Sequence, residues 1–244
     1  MHDRTALVTG ANKGIGRHIA AQLAAEGFTV LVGSRDRERG ELAAKEIGGN
    51  ARLLVLDVTD PAGIAEAASA VESLDVLVNN AGINISLAPA PETAPEDLRR
   101  MFETNVFGLA AVTNAFLPAL LRSPHPRIVN VSSGTASLEW SANPEGRFVV
   151  SPDGAAGYRA SKAAVNSLTV LYAQTLADKG VKVNALAPGA RATELTAWNP
   201  ESAARMAQAG DPAEAARGAV HLALLPDDGP TGGFFSWDGT VVPW

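Results

Sequence analysis

Ala6-Leu7-Val8-Thr9-Gly10-Ala11-Asn12-Lys13-Gly14-Ile15-Gly16 joins a short apolar run to a glycine-rich turn. The residues that follow, up to Ala25, set Ile19, Leu23 and small alanines on one face of a helix. Gly10, Gly14 and Gly16 allow a tight turn and let a phosphate approach the backbone closely. A helix starting at this turn offers free N–H groups and the positive end of its dipole to an anion. An isolated glycine triplet is also what an ordinary turn needs. Its place here, straight after a strand and opening a helix, favours a phosphate cradle.

Outward from this unit the same alternation continues. Residues 29–32, 53–56, 75–78, 127–131 and 181–187 read as strands, with a seventh at 233–237. Helical spacing fills 38–47, 96–121 and 158–176. Strands that are unbroken apolar runs are buried on both faces, and strands alternating with helices imply right-handed crossovers and a parallel sheet. The pattern therefore predicts a doubly wound α/β sheet. It never pauses for a linker, so residues 1–244 are expected to form one domain. Residues 135–156 and 193–210 lack clear periodicity, and such segments inside a compact domain are often functional.

Composition narrows the function classes. With no cysteine among 244 residues, disulfides, thiol catalysis and Cys-ligated zinc are excluded, and no metal site is expected. The net charge of −6 comes without a basic stripe, so neither nucleic acid nor an anionic membrane is an expected partner. No signal-peptide core precedes the first strand and no apolar run suits a spanning helix, which makes a cytoplasmic location the expectation.

The end of the second strand bears on the choice of dinucleotide. NAD sites usually carry an acid about 20 residues past the glycine turn, bonded to the ribose hydroxyls. Here the strand ends Gly33-Ser34-Arg35-Asp36, with Ser34 at the place of that acid. Arg35 could pair with a 2′-phosphate and stack on adenine, and Lys13 in the glycine loop could reach the same phosphate. These two cations favour NADP(H). Asp36 is the contrary sign, since a strand end shifted by one or two residues would make it the ribose acid of an NAD site.

Tyr158-Arg159-Ala160-Ser161-Lys162 sets a phenol and an ammonium four apart on one helix face. A neighbouring ammonium favours the phenolate, so Lys162 is expected to lower the Tyr158 pKa and suit it to general acid/base work on an alcohol or ketone. Asn130-Val131-Ser132-Ser133 ends the fifth strand, where a serine hydroxyl could donate to a developing alkoxide.

The glycine loop, Asn79-Asn80-Ala81-Gly82, Thr104-Asn105-Val106-Phe107-Gly108, the strand-end serines, Tyr158-x-x-x-Lys162 and Pro188-Gly189-Ala190-Arg191-Ala192-Thr193 occur in one order along essentially the whole chain. This set resembles the short-chain dehydrogenase/reductase family, and the resemblance implies a Rossmann-type sheet and hydride exchange between a nicotinamide and a carbonyl carbon. It implies a catalytic set of Asn105, Ser133, Tyr158 and Lys162, with Ser132 the alternative to Ser133. Asn105 would sit at a helix kink whose backbone holds a water leading to Lys162. Lys162 would also hold the nicotinamide ribose, and Thr193 with its Pro188-Gly189 backbone would meet the carboxamide. Asp57 and Val58 match the family's adenine contact, although Asp57 could instead cap the helix at Pro61, a role that suits Asp60 better. The implied cofactor surface is then Gly10, Asn12, Lys13, Gly14, Ile15, Gly16, Ser34, Arg35, Asp57, Val58, Asn80, Ala81, Gly82, Tyr158, Lys162, Pro188, Gly189 and Thr193.

One departure stands out: Ser133 and Tyr158 lie 25 positions apart, about twice the family's usual spacing. A longer segment here, like Asn12-Lys13, resembles the carbonyl-reductase branch. Trp140 and Phe148 are expected to lie on a stretch covering the substrate pocket. The reading is thus NADPH-dependent reduction of a ketone or aldehyde. An NAD-linked alcohol dehydrogenase and a non-catalytic NADP(H) sensor are the alternatives. The helices at 96–121 and 158–176, the latter with Ala163, Ala164, Leu168, Leu171 and Ala173, suit a homo-oligomer, dimer or tetramer. The longer segment beside them keeps a monomer as the alternative.

Overall fold

The computed structural model describes residues 4–143, 154–195 and 209–244. Seven strands form one sheet: β1 (Thr5–Thr9), β2 (Thr29–Ser34), β3 (Ala51–Val55), β4 (Val76–Asn79), β5 (Arg127–Val131), β6 (Lys182–Ala187) and β7 (Phe234–Ser236). Every pairing is parallel and the order is β3-β2-β1-β4-β5-β6-β7. The chain winds outward from β1 to β3, then returns to β4 and winds the other way. Beyond the carboxyl ends of β1 and β4 this reversal opens a crevice, the place where such sheets bind ligands.

The helices are α1 (Gly14–Ala25), α2 (Arg37–Ile47), α3 (Pro61–Ser69), α4 (Pro95–Phe102), α5 (Gly108–Leu120), the short α6 (Leu138–Ala142), α7 (Ala156–Thr175) and α8 (Pro212–Ala223). Side-chain caps set several of their starts. Asp36, Asp60 and Asp211 accept from the backbone of Arg39, Ala62 and Ala213, and proline follows directly in α3 and α8. The α8 pattern is missing from the sequence reading, although Asp211-Pro212 is an ordinary helix start.

Alternate strand residues feed two cores. Ala6, Val8, Val30, Val32, Val76, Val78 and Val129 meet α1, α2 and α8 on one face. Leu7, Leu31, Leu77 and Ile128 meet Ile64, Val112, Phe116, Leu120 and Ala173 on the other. The first face is built largely of valine and alanine, and leucine, isoleucine and phenylalanine dominate the second. Ala173, expected on an oligomer face, belongs to this inner core. Leu171 and Phe107 are among the exposed apolar residues of the described chain.

The expected helix over 96–121 is interrupted. Residues Glu103–Phe107 form one π-helical turn between α4 and α5, with Asn105 buried at its centre. The residue inserted by such a turn shifts side chains around the helix axis, and these turns recur at functional sites.

A buried polar chain crosses the middle of the sheet. The Asn79 amide donates to Thr113 Oγ1 and to Asn130 Oδ1, both at 2.9 Å. Asn130 donates in turn to Thr169 Oγ1 at 2.9 Å. Strands β4 and β5 are thereby tied to α5 and α7. Asn130→Ala, which strips partners from Asn79 and Thr169 and leaves a cavity, is expected to cost about 2–3 kcal/mol. A urea melt with the wild-type midpoint would refute this.

Candidate active site

The glycine loop and the loop after β4 close on each other at the crevice. Thr9 Oγ1 accepts from the backbone N–H of Asn80 and of Ala81, each at 2.9 Å, and the Asn80 amide donates to Thr9 O at 2.8 Å. Gly10 and Gly14 hold φ of +64° and +56°, where an L side chain is strained. A Cβ on Gly16 would lie 2.4 Å from Asn80 Nδ2, so the two loops meet only because that position is glycine. Lys13 stands at the N-cap of α1 but caps nothing, unlike Asp36, Asp60 and Asp211. The first-turn N–H groups of α1 thus remain for an anion, and Asn12 and Ile15 flank them half-buried. This cradle fits a dinucleotide pyrophosphate.

At the end of β2, Ser34 is buried, and its hydroxyl donates to Asp36 O at 2.8 Å. The Asp36 carboxylate accepts from Arg39 N and pairs with the Arg39 guanidinium at 3.3 Å. Asp36 is therefore a helix cap. Arg35 is exposed and, among the described residues, forms no ion pair. Lys13, expected to face a 2′-phosphate, instead pairs with Glu194 at 2.6 Å. Asp57 accepts from the backbone and hydroxyl of Thr59 in a local turn, and Asp60 caps α3. Val58 lies against the second core and backs Gly108, where a Cβ would sit 2.7 Å from Val58 O.

The residues expected to be catalytic gather beside this crevice. Lys162 is buried, donates to Val131 O at 2.7 Å, and stands 5.8 Å from the Tyr158 ring centre. The Tyr158 hydroxyl shares a hydrogen bond with the Ser133 side chain. Ser132 Oγ, by contrast, is buried and donates to Asn166 Oδ1 at 2.6 Å. The Asn105 amide accepts from Ile83 N and donates to Ile83 O and Ser161 Oγ, and Ser161 donates to Tyr158 O. The side chain of Asn105 is thus a clamp between the loop after β4 and α7. A Cβ on Gly82 would lie 3.3 Å from both Asn105 Oδ1 and Lys162 Nζ.

Burial governs the two ionisable groups. It pushes the Tyr158 phenol up to about 12, against the opposing hydrogen bond from Ser133, and pushes the Lys162 ammonium down to about 8. The expected lowering of the tyrosine by the lysine is corrected: at 5.8 Å the ammonium does not outweigh desolvation. Tyr158 is a protonated donor across the neutral range. Just ahead of it Ala155 takes φ of +43°, and N–H groups of Ala155 and Ala156 bond to Leu87 O and Ala88 O. The stretch before the tyrosine is thereby held to the loop after β4.

The loop after β6 completes the site. Arg191 is buried; it donates to Pro188 O at 2.7 Å, pairs with Glu214 at 2.9 Å, and lies 4.3 Å over the Trp237 ring. This anchoring fixes the turn at Gly189, whose φ is +73°. It also leaves the Thr193 methyl 3.6 Å from where a Gly14 Cβ would be. Trp140 packs toward Ala185, Ala187, Phe234 and Val242, on the β6–β7 side, whereas Phe148 falls outside the described residues. Thr9, Ser161, Arg191 and Glu194 escaped the sequence reading. Their roles come from partners remote in sequence, for which spacing gives no signal.

Comparison with known proteins agrees with this arrangement. The family model for short chain dehydrogenase matches residues 4–203. The (-)-isopiperitenone reductase of Mentha piperita is 34% identical, with 98% of each chain covered. The NADPH-bound carbonyl reductase from chicken fatty liver superposes with TM-score 0.80 at 29% identity, covering 100% of both chains. The 3-ketoacyl-(acyl-carrier-protein) reductase of Brucella melitensis, complexed with NADH, gives 0.82 at 29%, covering 96% of each. These relatives are named as reductases and the family model spans most of the sequence, and the chain belongs to the short-chain dehydrogenase/reductase family.

Proposed function

We propose that this oxidoreductase reduces a ketone or aldehyde to an alcohol with NADPH, reversibly, through Ser133, Tyr158, Lys162 and Asn105. The observation that carries the cofactor choice is the end of β2. Asp36 is spent as the cap of α2, while Arg35 projects from the same turn with no ion pair among the described residues. A guanidinium there suits a 2′-phosphate, and the Asp36 carboxylate at this strand end is engaged by Arg39 rather than open to a ribose diol. The relatives named above include both NADPH- and NADH-bound proteins, so the choice rests on these residues.

A bound nicotinamide supplies the hydride in reduction or accepts it in oxidation. The chain does the rest. Ser133 and the Tyr158 phenol donate to the carbonyl oxygen, and Tyr158 gives up its proton as the alkoxide forms. The resulting phenolate is stabilised by Ser133 and by the Lys162 ammonium, which also holds the ribose. The π-helical turn at Asn105 leads the returning proton toward Lys162. The one-domain enzyme is expected to act in the cytoplasm on a small carbonyl compound. No helix among the described residues is long and apolar enough to cross a membrane. Exposed Leu171 and Phe107 favour a dimer or tetramer, with a monomer as the other outcome of light scattering.

Three outcomes follow from this reading. Tyr158→Phe is expected to lower kcat by at least about 100-fold while NADPH still binds, since only the phenol proton is lost; a Phe variant with most of its activity would sink the mechanism. Arg35→Asp is expected to reduce the NADPH-over-NADH ratio of kcat/KM by about tenfold or more, a charge-assisted contact being worth about 1.5–3 kcal/mol. Equal use of both cofactors by the wild type would overturn the NADPH preference.

The third outcome concerns pH. Lys162 titrates near 8 when folded and near 10.5 when free, so between these values the unfolded chain binds more protons and stability rises with pH. Lys162→Met should lose that rise and be at least as stable as the wild type at pH 7, though inactive. Parallel stability-against-pH curves for the two proteins would contradict it.

A further inference from the structure

The ion pair between Lys13 and Glu194 has no part in the reaction chemistry described above. It joins two loops 181 residues apart in sequence, with Nζ and Oε2 at 2.6 Å. Beside it the Thr193 methyl faces Gly14, so the loop after β6 lies along the glycine loop at this point. Both charged side chains remain substantially exposed, at 49% and 69%. Burial therefore does not force the pairing, and an anion from solution can contest it. Lys13 holds the Glu194 carboxyl below the usual carboxylate range, with a smaller contribution from the Arg39 guanidinium in the first turn of α2. Lys13 thus pairs with this carboxylate directly, while Arg39, itself paired with Asp36 at the start of α2, adds only a weaker attraction from its charge.

We propose that Glu194 is an internal competitor for the cofactor's 2′-phosphate, holding Lys13 until that phosphate takes its place. This deepens the NADP(H) reading and rests on it. A carboxylate brings one negative charge and two acceptor oxygens; a phosphate monoester brings up to two charges and three such oxygens. The phosphate therefore wins the exchange at Lys13. NAD(H) offers only a hydroxyl at that position and leaves the Lys13–Glu194 pair intact. Glu194 thus weakens the binding of phosphorylated cofactors without touching that of unphosphorylated ones, and it sets how far the two affinities differ. The pair is exposed and screened by salt, so its effect is modest and greatest at low ionic strength.

The test is calorimetric binding of adenosine 2′,5′-bisphosphate and of 5′-AMP to the purified protein at low salt, with no turnover involved. Glu194→Gln is expected to tighten the bisphosphate by about two- to fivefold, the worth of one exposed ion pair, and to leave AMP unchanged. In a Lys13→Gln background the same substitution should change nothing, because the contested cation is gone. Unchanged bisphosphate affinity in Glu194→Gln overturns the competitor role. So does equal tightening of both ligands, or an undiminished effect without Lys13, since each would mean only a general field. A wild type binding the bisphosphate no better than AMP would overturn the NADP(H) reading itself. A wild type that prefers the bisphosphate, with an inert Glu194→Gln, would overturn the competitor role alone.

Discussion

The amide chain from Thr113 through Asn79 and Asn130 to Thr169 lies buried where β4 and β5 face α5 and α7. A buried amide without a partner is costly, so the two strands and two helices keep one relative placement. That placement decides the site. Strand β4 ends directly into Asn80-Ala81-Gly82, β5 into Ser132-Ser133, and α7 carries Tyr158 and Lys162. Apolar packing alone would tolerate a small slide of α7 along the sheet. The hydrogen bond from Asn130 to Thr169 does not, nor does that from Lys162 to Val131 O.

Around this frame polar side chains repeatedly join loops rather than face solvent. Thr9 and Asn80 staple the glycine loop to the loop after β4. Asn105 binds that same loop to α7 through Ser161. Arg191 and Glu214 anchor the loop after β6 to α8. The crevice is thus assembled by short-range bonds among segments far apart in the chain, which favours a preorganised site.

The electrostatics of Tyr158 and Lys162 follow from depth. Desolvation drives both Tyr158 and Lys162 toward their neutral forms. For the phenol this keeps the proton in place across the neutral range; in the proposed mechanism that proton would pass to the forming alkoxide. For the lysine it leaves a charge that is retained at neutral pH and lost at mildly alkaline pH. Y-x-x-x-K spacing puts the two groups on one face but says nothing of how much water reaches them. The direction of the tyrosine shift was for that reason misread from the sequence.

What the sequence determined is local and periodic. Apolar runs and helical spacing place the strands within one or two residues, because burial on both faces demands unbroken apolar strands. The glycine turn, the strand-end serines and the Tyr158–Lys162 pair were legible because each is short and its geometry is set by adjacent residues. Tertiary structure decided what depends on remote partners. Asp36 became a cap because α2 starts at Arg37. The helix over 96–121 gained its π-helical turn at Asn105, whose amide is held by Ile83 and Ser161. Lys13 turned to Glu194, a residue no spacing rule connects to it, because folding brings the loop after β6 onto the glycine loop. Periodicity records which face is buried; it does not record which polar groups will meet there, since those pairs are chosen only when the sheet and its helices close.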